Sequence, residues 1–294
     1  MGAFLSRDHT ASSLRQLIER PEPLLAPGAY DALSARLVEQ AGFPAVYMTG
    51  AGTAAALGYP DYGLLTMTEM AENLGRIARA VGIPVIADAD TGYGNELNVV
   101  RTVGEYALRG AAALHIEDQV SPKRCGHLDR KEVIAADEFV SKVRAAAEHR
   151  PDPDLVLIAR TDAVATLGFE EAVERANRAL RAGADVAFVE APQTMEQIAA
   201  VPRLVEGPCL LNVVAAGKSP DVSLAQAAEM GFRLAIVPVL LVGAAIAAGE
   251  AALGELSATG VAAPADGAAL SVHDIFARAG ARAWDELRDR YGAD

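Results

Sequence analysis

One of the two cysteines in this 294-residue chain lies in a strongly polar segment, S-P-K-R-C-G-H-L-D, which spans residues 121–129. Lys123 and Arg124 precede Cys125, and a Gly-His pair follows it. Neighbouring cations attract anions and lower the pKa of a thiol, and an imidazole exchanges protons near neutral pH. The segment therefore predicts a site that binds an anion and transfers a proton.

Three carboxylates follow two consecutive apolar runs of the sequence. D-A-D places Asp88 and Asp90 two positions apart, which on a strand directs both side chains to the same face, and Glu117 ends the next run. Carboxylates so close repel each other unless a cation lies near them. An all-oxygen set of ligands favours Mg²⁺ or Mn²⁺ over zinc. We expect a Mg²⁺ site, with Mn²⁺ as the alternative ion and helix capping or pairing with Arg160 as the structural alternative.

Two further polar residues end later apolar runs. Arg160 is suited to binding a substrate carboxylate through two hydrogen bonds, although an ion pair with Asp162 explains it equally well. Asn212 can donate to or accept from a substrate. His115 lies inside an apolar run and is more typical of a core histidine than of a ligand.

These residues must be positioned by eight short apolar runs rich in Val and Ile, as is typical of strands buried on both faces. The runs are residues 24–30, 45–50, 84–90, 113–119, 155–162, 186–191, 209–214 and 234–239. Segments with helical spacing of apolar residues separate most of them. These segments are Thr68–Val81, Glu96–Arg109, Ala136–His149, Phe169–Ala182 and Met195–Val205.

Alternation of strand and helix predicts a parallel sheet, and eight repeats predict a closed (β/α)8 barrel of the TIM type in the α/β class. An open, doubly wound sheet is the alternative. In a barrel, functional residues gather at the carboxyl ends of the strands. Polar residues end seven of the eight runs: Tyr30/Asp31, Thr49/Gly50, Asp88/Asp90, Glu117/Asp118, Arg160/Asp162, Glu190 and Asn212.

Beyond the barrel, which we assign to residues 1–253, residues 254–294 form a linker and an oligomerisation helix. The linker is the Ala- and Gly-rich segment Gly254–Ala269. Ser271 is suited to capping one final helix whose apolar residues repeat at helical spacing as far as Leu287. We expect that helix to pack on a neighbouring subunit, with packing on its own barrel as the alternative.

Composition narrows the classes of function. An apolar content of 51% allows a large core, and a net charge of −13 disfavours nucleic acid as a partner. The two cysteines lack the spacing of a disulfide framework or zinc site, which indicates a reducing, cytoplasmic compartment. Leu234–Gly249 is interrupted by Pro238 and is shorter than the roughly 18–20 apolar residues of a membrane span, so we expect no membrane partner.

A dinucleotide-binding function has one signal in its favour. G-A-G-T-A-A, which spans Gly50–Ala55, fits the G-x-G-x-x-[GA] fingerprint. However, no acidic residue ends a strand about 20 positions later, where a ribose contact belongs. A nicotinamide enzyme or a catalytically weak binding barrel is therefore a minor alternative.

Taken together, D-A-D-T-G-Y-G, H-I-E-D-Q, K-R-C-G-H, A-R-T-D and V-E-A-P resemble motifs of the isocitrate lyase/phosphoenolpyruvate mutase superfamily, over roughly residues 26–248. K-R-C-G-H is similar to its short carbon–carbon lyase branch, which includes methylisocitrate lyase, 2,3-dimethylmalate lyase and petal death protein. The resemblance implies an eight-stranded barrel, Mg²⁺ and a homotetramer whose terminal helices swap between subunits.

The resemblance also implies a reaction. A substituted malate-type 2-hydroxy acid, of the 2-methylisocitrate or 2,3-dialkylmalate class, is cleaved to an α-keto acid such as pyruvate plus a carboxylate. Cys125 is the implied proton donor, and Tyr47 is the candidate base, with a packed strand aromatic as its alternative. The implied catalytic residues are Cys125, Tyr47, His127 and Arg160, and the metal site is Asp88, Asp90 and Glu117. The implied substrate contacts are Thr49, Gly50, Ala51, Asp61, Lys123, Arg124, Gly126, His127, Arg160, Glu190 and Asn212.

Two positions depart from the patterns of this branch. Leu128 stands where methylisocitrate lyases commonly carry Arg after C-G-H. N-V-V-A-A-G-K-S-P resembles the dimethylmalate lyase pattern, but Ala215 stands where that pattern has Glu. Oxaloacetate hydrolysis and a phosphonate or phosphoenolpyruvate mutase reaction are the alternatives, and the cysteine disfavours a mutase. The segment around Lys123 is expected to close over bound substrate.

Overall fold

The chain closes a parallel barrel of eight strands. The structure, a computed structural model, describes residues 11–126, 128, 130–215, 217–262 and 270–292. Each strand pairs in parallel with its neighbours in chain order, and the first strand pairs with the eighth, which excludes the open sheet. The strands are β1 (Leu24–Ala29), β2 (Val46–Met48), β3 (Val85–Asp88), β4 (Ala113–Glu117), β5 (Val156–Thr161), β6 (Val186–Val189), β7 (Cys209–Asn212) and β8 (Leu234–Val237).

Helices follow the strands and surround the barrel. They are α1 (Ala11–Ile18), α2 (Ala32–Gln40), α3 (Gly50–Ala56), α4 (Met67–Ala80), α5 (Glu96–Leu108), α6 (Ala136–His149), α7 (Val164–Leu167), α8 (Phe169–Arg181), α9 (Met195–Leu204), α10 (Leu224–Met230), α11 (Leu240–Thr259), α12 (Val272–Arg278) and α13 (Ala281–Tyr291). The five predicted helices appear as α4, α5, α6, α8 and α9, with ends that differ by at most one residue.

Local capping sets where several helices begin. Thr66 and Glu69 exchange side-chain and backbone hydrogen bonds at the start of α4, and Asp31 and Ser34 do the same at the start of α2. Asp31, which the sequence places among the polar strand ends, therefore serves as a helix cap.

Apolar side chains on the inner faces of the strands fill the barrel, and those on the outer faces pack against the helices. Tyr47, Ile86, Ile158 and Phe188 belong to the inner cluster, whereas strand residues such as Met48 pack outward against the helices. This alternation follows from the opposite directions of successive side chains on a strand.

Helix α1 covers the amino-terminal end of the barrel. Leu14 and Ile18 are buried in the inner cluster. Arg15 donates from Nε to the carbonyl oxygen of Asp154 at 2.9 Å and pairs with Asp185 at 3.0 Å. Because Asp154 and Asp185 precede β5 and β6, these contacts fix α1 across the end of the barrel opposite the predicted site.

The helix after β8 differs most from expectation. α11 has 20 residues and none of them is buried. It starts after Pro238, continues into the predicted linker as far as Thr259, and is long and apolar enough to cross a membrane by those two criteria alone. One such helix is a weak indication of a membrane protein, because core helices and signal sequences share the same properties.

The predicted C-terminal helical segment is present, but the structure divides it into two helices. Ser271 caps α12 through a reciprocal pair with Asp274, as its sequence position predicts. Gly280, with φ of +93°, then interrupts the helix in a conformation that residues with a Cβ rarely adopt, and α13 follows. α12 contacts α2 of its own barrel, where Gln40 donates to the carbonyl oxygen of Arg278 at 2.9 Å.

Candidate active site

A cavity of about 80 Å³ opens at the carboxyl ends of the strands. Polar residues from β2, β3, β5, β7 and the loops form one part of its wall, and apolar residues form the rest. The lining residues are Tyr47, Thr49, Ala51, Asp61, Asp88, Lys123, Cys125, Gly126, Arg160, Phe188, Glu190, Asn212, Val214, Ile236, Pro238 and Val239. The structure therefore brings most of the predicted site residues to one cavity.

Asp88 is the last residue of β3, and its carboxylate is buried and accepts three hydrogen bonds. It accepts hydrogen bonds from the Tyr47 hydroxyl at 3.3 Å, from Gly50 N at 3.1 Å and from Asp90 N at 2.9 Å. Burial alone would raise its pKa, but His115, Lys123 and Arg160 lower the pKa of Asp88 to about 2. Asp88 is therefore an anion over the whole physiological pH range.

Asp90 lies beside Lys123, in a backbone conformation that the sequence does not predict. β3 ends at Asp88, and Asp90 has a left-handed backbone with φ of +45°, so the two residues do not share a strand face. Its carboxylate lies 2.9 Å from Lys123 Nζ, which also pairs with Asp61 at 2.5 Å. Burial and the charge of Asp88 raise the pKa of Asp90 to about 6 against the opposing effect of Lys123.

Glu117 is the carboxylate whose surroundings most strongly favour a bound cation. Both carboxylate oxygens are buried without a hydrogen-bond partner among the described residues, and Arg160 Nε lies 3.3 Å away. Burial raises the pKa of Glu117 well above its usual value despite the opposing charges of Arg160 and Lys123. A buried carboxylate without hydrogen-bond donors is costly unless it is neutralised or binds a cation.

The acidic residues fit a hard divalent cation that keeps water or substrate among its ligands. In the described part of the chain, no three His, Cys, Asp or Glu side chains already converge as a three-ligand metal site would require. Mg²⁺ commonly binds through one or two carboxylates and completes its shell with water or substrate oxygens. Asp88 at the cavity wall and the unpartnered oxygens of Glu117 meet that requirement.

His115 and Tyr47 lie beneath this acidic group. His115 is fully buried, as the sequence predicts, but its Nε2 lies 2.9 Å from the Tyr47 hydroxyl and 3.5 Å from Asp88 Oδ1. Burial lowers the pKa of His115 to about 4, and burial followed by the charge of Asp88 raises the pKa of Tyr47 well above 10. The sequence signal for this placement is the two-residue spacing from Glu117, which puts both side chains on one face of β4.

Arg160 forms the ion pair with Asp162 that the sequence left open. Its Nε and Nη2 donate to Asp162 at 2.9 and 3.2 Å. The guanidinium still lines the cavity, 3.9 Å from Glu190, to which Asn212 donates at 3.2 Å. Asp162 thus holds the guanidinium in place from behind.

The segment that carries Cys125 lies against the cavity. Cys125 is half-buried, and its backbone N donates to the carbonyl oxygen of Asp61 at 3.1 Å. The Gln119 side chain bonds to both the N–H and the carbonyl of Arg124. Gly126 packs so tightly that an added Cβ would overlap Glu190 Oε1 and a guanidinium nitrogen of Arg160.

Arg124 and Thr49 make contacts that the sequence does not predict. Arg124 is exposed and its guanidinium lies 5.4 Å above the Tyr62 ring, outside the residues that line the cavity. His127 lies outside the described residues. Thr49 lines the cavity and also caps α3, where its hydroxyl accepts from Gly52 N.

The glycine-rich G-A-G-T-A-A segment forms the short helix α3. Its first N–H, that of Gly50, already donates to the carboxylate of Asp88, and a Cβ at Gly50 would overlap that carboxylate. The carboxylate of Asp88 therefore occupies the position at the start of α3 where the pyrophosphate of a dinucleotide would bind. The arrangement favours a tight turn over a dinucleotide site.

Sequence reasoning missed two groups of residues. Lys131 belongs to a buried ion network behind Arg160, and no local pattern links it to the cavity. Asp118, which the sequence places among the polar strand ends, joins this network by accepting from Asp162 N. Val214, Pro238 and Val239 supply the apolar wall and follow β7 and β8. Pro238 and Val239 are the last two residues of the eighth run, which alone lacks a polar end, and that is the signal that could have found them.

Sequence comparison places the chain among known enzymes. Residues 14–257 match the family described as phosphoenolpyruvate phosphomutase. The chain is 45% identical to 2,3-dimethylmalate lyase of Eubacterium barkeri over 78% of this chain and 80% of that protein. It is 44% identical to 2-methylisocitrate lyase of Aeropyrum pernix over 88% of this chain and 84% of that protein.

Solved structures agree with the sequence matches. Oxaloacetate acetylhydrolase in complex with 3,3-difluorooxalacetate superimposes with a TM-score of 0.92 and 40% identity, covering 98% of this chain and 99% of that one. A phosphonopyruvate hydrolase complex with oxalate and Mg²⁺ gives a TM-score of 0.87 and 32% identity, covering 96% and 99%.

Proposed function

This chain belongs to the phosphoenolpyruvate mutase/isocitrate lyase superfamily and is an enzyme, and on that premise we propose that it is a Mg²⁺-dependent carbon–carbon lyase. Its substrate would be a substituted malate-type 2-hydroxy acid, and its products an α-keto acid such as pyruvate and a second carboxylate. The observation that carries the proposal is the position of Cys125, which lines the same small cavity as Asp88 and Arg160.

Asp88, with Asp90 and Glu117 close by, would hold the metal ion. When bound, Mg²⁺ supplies a Lewis acid that favours ionisation of the substrate 2-hydroxyl group. A protein of the same fold, phosphonopyruvate hydrolase, forms a complex with oxalate and Mg²⁺, which supports a divalent ion in this chain. Lys123, between Asp61 and Asp90, reduces the repulsion among these carboxylates before an ion binds.

The chain's own residues supply the other parts of the reaction. As the carbon–carbon bond breaks, its electron pair stays on the departing carbon and forms an enediolate of a carboxylic acid. Arg160 and Asn212 face the cavity and would stabilise that charge. The Cys125 thiol would then donate its proton to the carbon, and half-burial keeps bulk water from competing.

Tyr47 is our candidate for accepting the proton of the substrate hydroxyl. Its hydroxyl lies at the cavity wall, between Asp88 and His115. Burial raises the pKa of Tyr47 most and the charge of Asp88 raises it further, so a cation at Asp88 would offset the second of these two contributions. This role therefore depends on the metal ion being bound first.

The cavity wall favours a substrate with alkyl substituents. Val214, Pro238 and Val239 are apolar residues of the cavity wall, and Lys123 and Arg160 are the two cations that line the described cavity. Two carboxylates can be matched by these cations, and a third would face apolar atoms, where burying a charge is costly. We therefore propose a 2,3-dialkylmalate in preference to 2-methylisocitrate.

Oxaloacetate hydrolysis is the second candidate function. The observation in its favour is the structural similarity to oxaloacetate acetylhydrolase, at a TM-score of 0.92 and 40% identity. Oxaloacetate is a smaller dicarboxylate than a dialkylmalate, and the described cavity measures about 80 Å³. Both candidates use the same metal site and the same enediolate-stabilising residues.

We further propose a cytoplasmic homotetramer in which the terminal helices pack on neighbouring subunits. α11 presents 20 residues without burying one of them, and its large apolar side chains include Leu240, Ile246 and Leu253. A continuous apolar surface of this kind on a barrel helix needs a cover. A second subunit supplies that cover without a membrane.

The test is a product-release assay over four substrates: 2,3-dimethylmalate, another alkylmalate, 2-methylisocitrate and oxaloacetate. Keto acid or oxalate is measured with Mg²⁺ and with EDTA, for the wild-type enzyme and for Cys125→Ser. We expect metal-dependent turnover that is fastest with 2,3-dimethylmalate and that falls about 10²-fold or more in the variant, the usual range for losing a general acid.

Cys209→Ser is the matched control, because Cys209 is the other cysteine, lies at the start of β7 and is buried. It should retain kcat within about twofold. Wild-type rates in Cys125→Ser would remove the thiol from the mechanism. Turnover of oxaloacetate alone would replace the lyase by the hydrolase.

A further inference from the structure

A buried lysine outside the cavity contacts the backbone beside the proposed proton donor. Lys131 Nζ donates to the carbonyl oxygen of Gly126 at 2.5 Å and to Asp162 Oδ1 at 2.8 Å. Its side chain is 1% exposed. Burying an ammonium group this deeply is costly unless its partners are fixed, so the position of Lys131 depends on both contacts.

The carboxylate that binds Lys131 also binds Arg160. Asp162 is fully buried and accepts two hydrogen bonds from the Arg160 guanidinium. Asp162 is itself held by Asp118, whose Oδ1 accepts from Asp162 N at 2.8 Å. One rigid carboxylate therefore sets the position of a cavity cation and of a residue on the Cys125 segment.

Gly126 is held from two sides. Lys131 binds its carbonyl, and on the other side its Cα packs against Glu190 and Arg160 so closely that no side chain fits. The two chain segments that lead into this loop are joined at its base, where Val120 N donates to the carbonyl oxygen of Glu132 at 2.8 Å. Movement of Lys131 would therefore release the backbone directly after Cys125.

We propose that Lys131 is a positioning residue for the reaction: it fastens the Gly126 peptide to the Arg160–Asp162 pair and so fixes the distance between the Cys125 thiol and the guanidinium. Lys131 touches no reacting atom and acts through Gly126 and Asp162. The effect on turnover rests on the proposed lyase function, whereas the effect on the thiol does not. Small displacements of a reacting group lower rates by about 10- to 100-fold.

The experiment compares Lys131→Met with Arg150→Met. Methionine keeps the length of the side chain and removes its charge and donors. Arg150 pairs with Asp185 at 2.6 Å at the amino-terminal end of the barrel, so its loss weakens an ion pair away from the cavity. Each protein is measured for melting temperature, for kcat and KM with Mg²⁺ and substrate, and for the rate at which iodoacetamide alkylates Cys125 in the presence of Mg²⁺ and pyruvate.

In Lys131→Met we expect kcat to fall about 10- to 100-fold while KM changes less than about threefold. We also expect the Cys125 alkylation rate to change by about fivefold or more. Arg150→Met should lower the melting temperature and leave kcat and the alkylation rate within about twofold of wild type. Lys131→Gln, which keeps a donor for the Gly126 carbonyl, should lose less activity than the Met variant.

The alkylation rate decides the outcome. If it matches wild type in Lys131→Met, the proposal is overturned whatever the activity, and so it is if Arg150→Met changes both rates equally. If no substrate is turned over, the lyase function fails, but a changed alkylation rate still supports the positioning role. If Lys131→Met does not fold, Lys131→Ala, which also removes every donor, replaces it and is decided by the same two rates.

Discussion

Lys123 and Arg160 bring positive charge to the cavity, and each already shares that charge with buried carboxylates. Lys123 contacts Asp61 and Asp90, and Arg160 contacts Asp162. These pairs hold the cations in place before a substrate arrives, so less order has to be created on binding. The electrostatic potential that acts on an incoming dicarboxylate is thus set by ion pairs rather than by single cations.

Gly126 is the residue most sensitive to a small change. Gly126→Ala adds one methyl group where Glu190 and Arg160 leave no space. We expect the Cys125 segment to be displaced and kcat/KM to fall by about 10²-fold, because a shift of about 1 Å in a reacting group has that effect. Steady-state kinetics with the substrate found in the release assay measures the loss.

The matched control is Gly104→Ala in α5, where an added Cβ meets no atom within 4 Å. That change should leave kcat/KM unaltered and raise the free energy of unfolding by about 0.4–1 kcal/mol. Equal activity of both alanine variants would show that Gly126 is not tightly packed in solution.

Asp162 gives the molecule a pH-dependent part of its stability. Burial alone would raise the pKa of the Asp162 carboxyl, but Arg160 and Lys131 lower it well below its usual value. A carboxyl whose pKa is lower in the folded state stabilises the fold above its ordinary pKa of about 4, and that stability is lost as the pH falls below it.

Asp162→Asn should therefore be less stable than wild type by about 3–5 kcal/mol near pH 7, the usual cost of breaking a buried ion pair. The difference should shrink as the pH falls below about 4, because Asp162 then takes up a proton in the unfolded wild-type chain while it stays ionised in the folded one. Urea unfolding at several pH values measures it, and a difference that stays constant down to pH 3 would contradict this account.

At the scale of elements, the eight strands and five of the helices follow from the pattern of apolar runs. Their order also predicts that Asp88, Glu117 and Arg160 meet at one edge, because parallel strands bring their carboxyl ends together. The pattern of apolar runs does not predict the left-handed backbone of Asp90 or the helix break at Gly280. The backbone at Asp90 is accompanied by a contact between distant parts of the chain, that of Lys123 with Asp90. A single glycine within a helical pattern does not by itself decide whether the helix continues.

The segment between β4 and α6 is the element that we expect to respond to ligands. Arg124 is exposed beside Cys125, whereas Lys123 is buried, so trypsin should cleave after Arg124. Mg²⁺ with pyruvate should slow that cleavage by about fivefold or more, because a ligand that binds the folded cavity disfavours local opening.

Mass spectrometry of the fragments over time gives the rate. Cleavage after Arg282 in α13, which is remote from the cavity and exposed, serves as the internal control. If both sites respond equally, or if neither responds, the segment does not close over a ligand.

At the scale of the whole molecule, α11 is the feature that a single subunit does not explain. Ile246 and Leu253 are 54% and 68% exposed in the isolated chain. The double substitution Ile246→Glu and Leu253→Glu replaces these two apolar side chains by carboxylates. If another subunit covers this helix, the substitutions should bury charge at an interface and convert the tetramer to smaller species.

Light scattering after size-exclusion chromatography measures the mass. Leu97→Glu with Leu108→Glu on α5, which are 74% and 82% exposed, should leave the mass unchanged. An unaltered mass in the α11 variant would contradict subunit packing. Recovery of wild-type protein only with detergent would show that α11 meets a membrane instead.

The position of helix α1 bears on the order in which the two products of the proposed reaction leave the cavity. Because Leu14, Ile18 and Arg15 occlude the far end of the barrel, the cavity communicates with solvent only past the strand carboxyl ends in the described chain. Two fragments made side by side must then exit in succession, and the inner one blocks re-entry while it stays. In initial-rate kinetics, that slower-leaving fragment should compete with the substrate, and the earlier-leaving one should not.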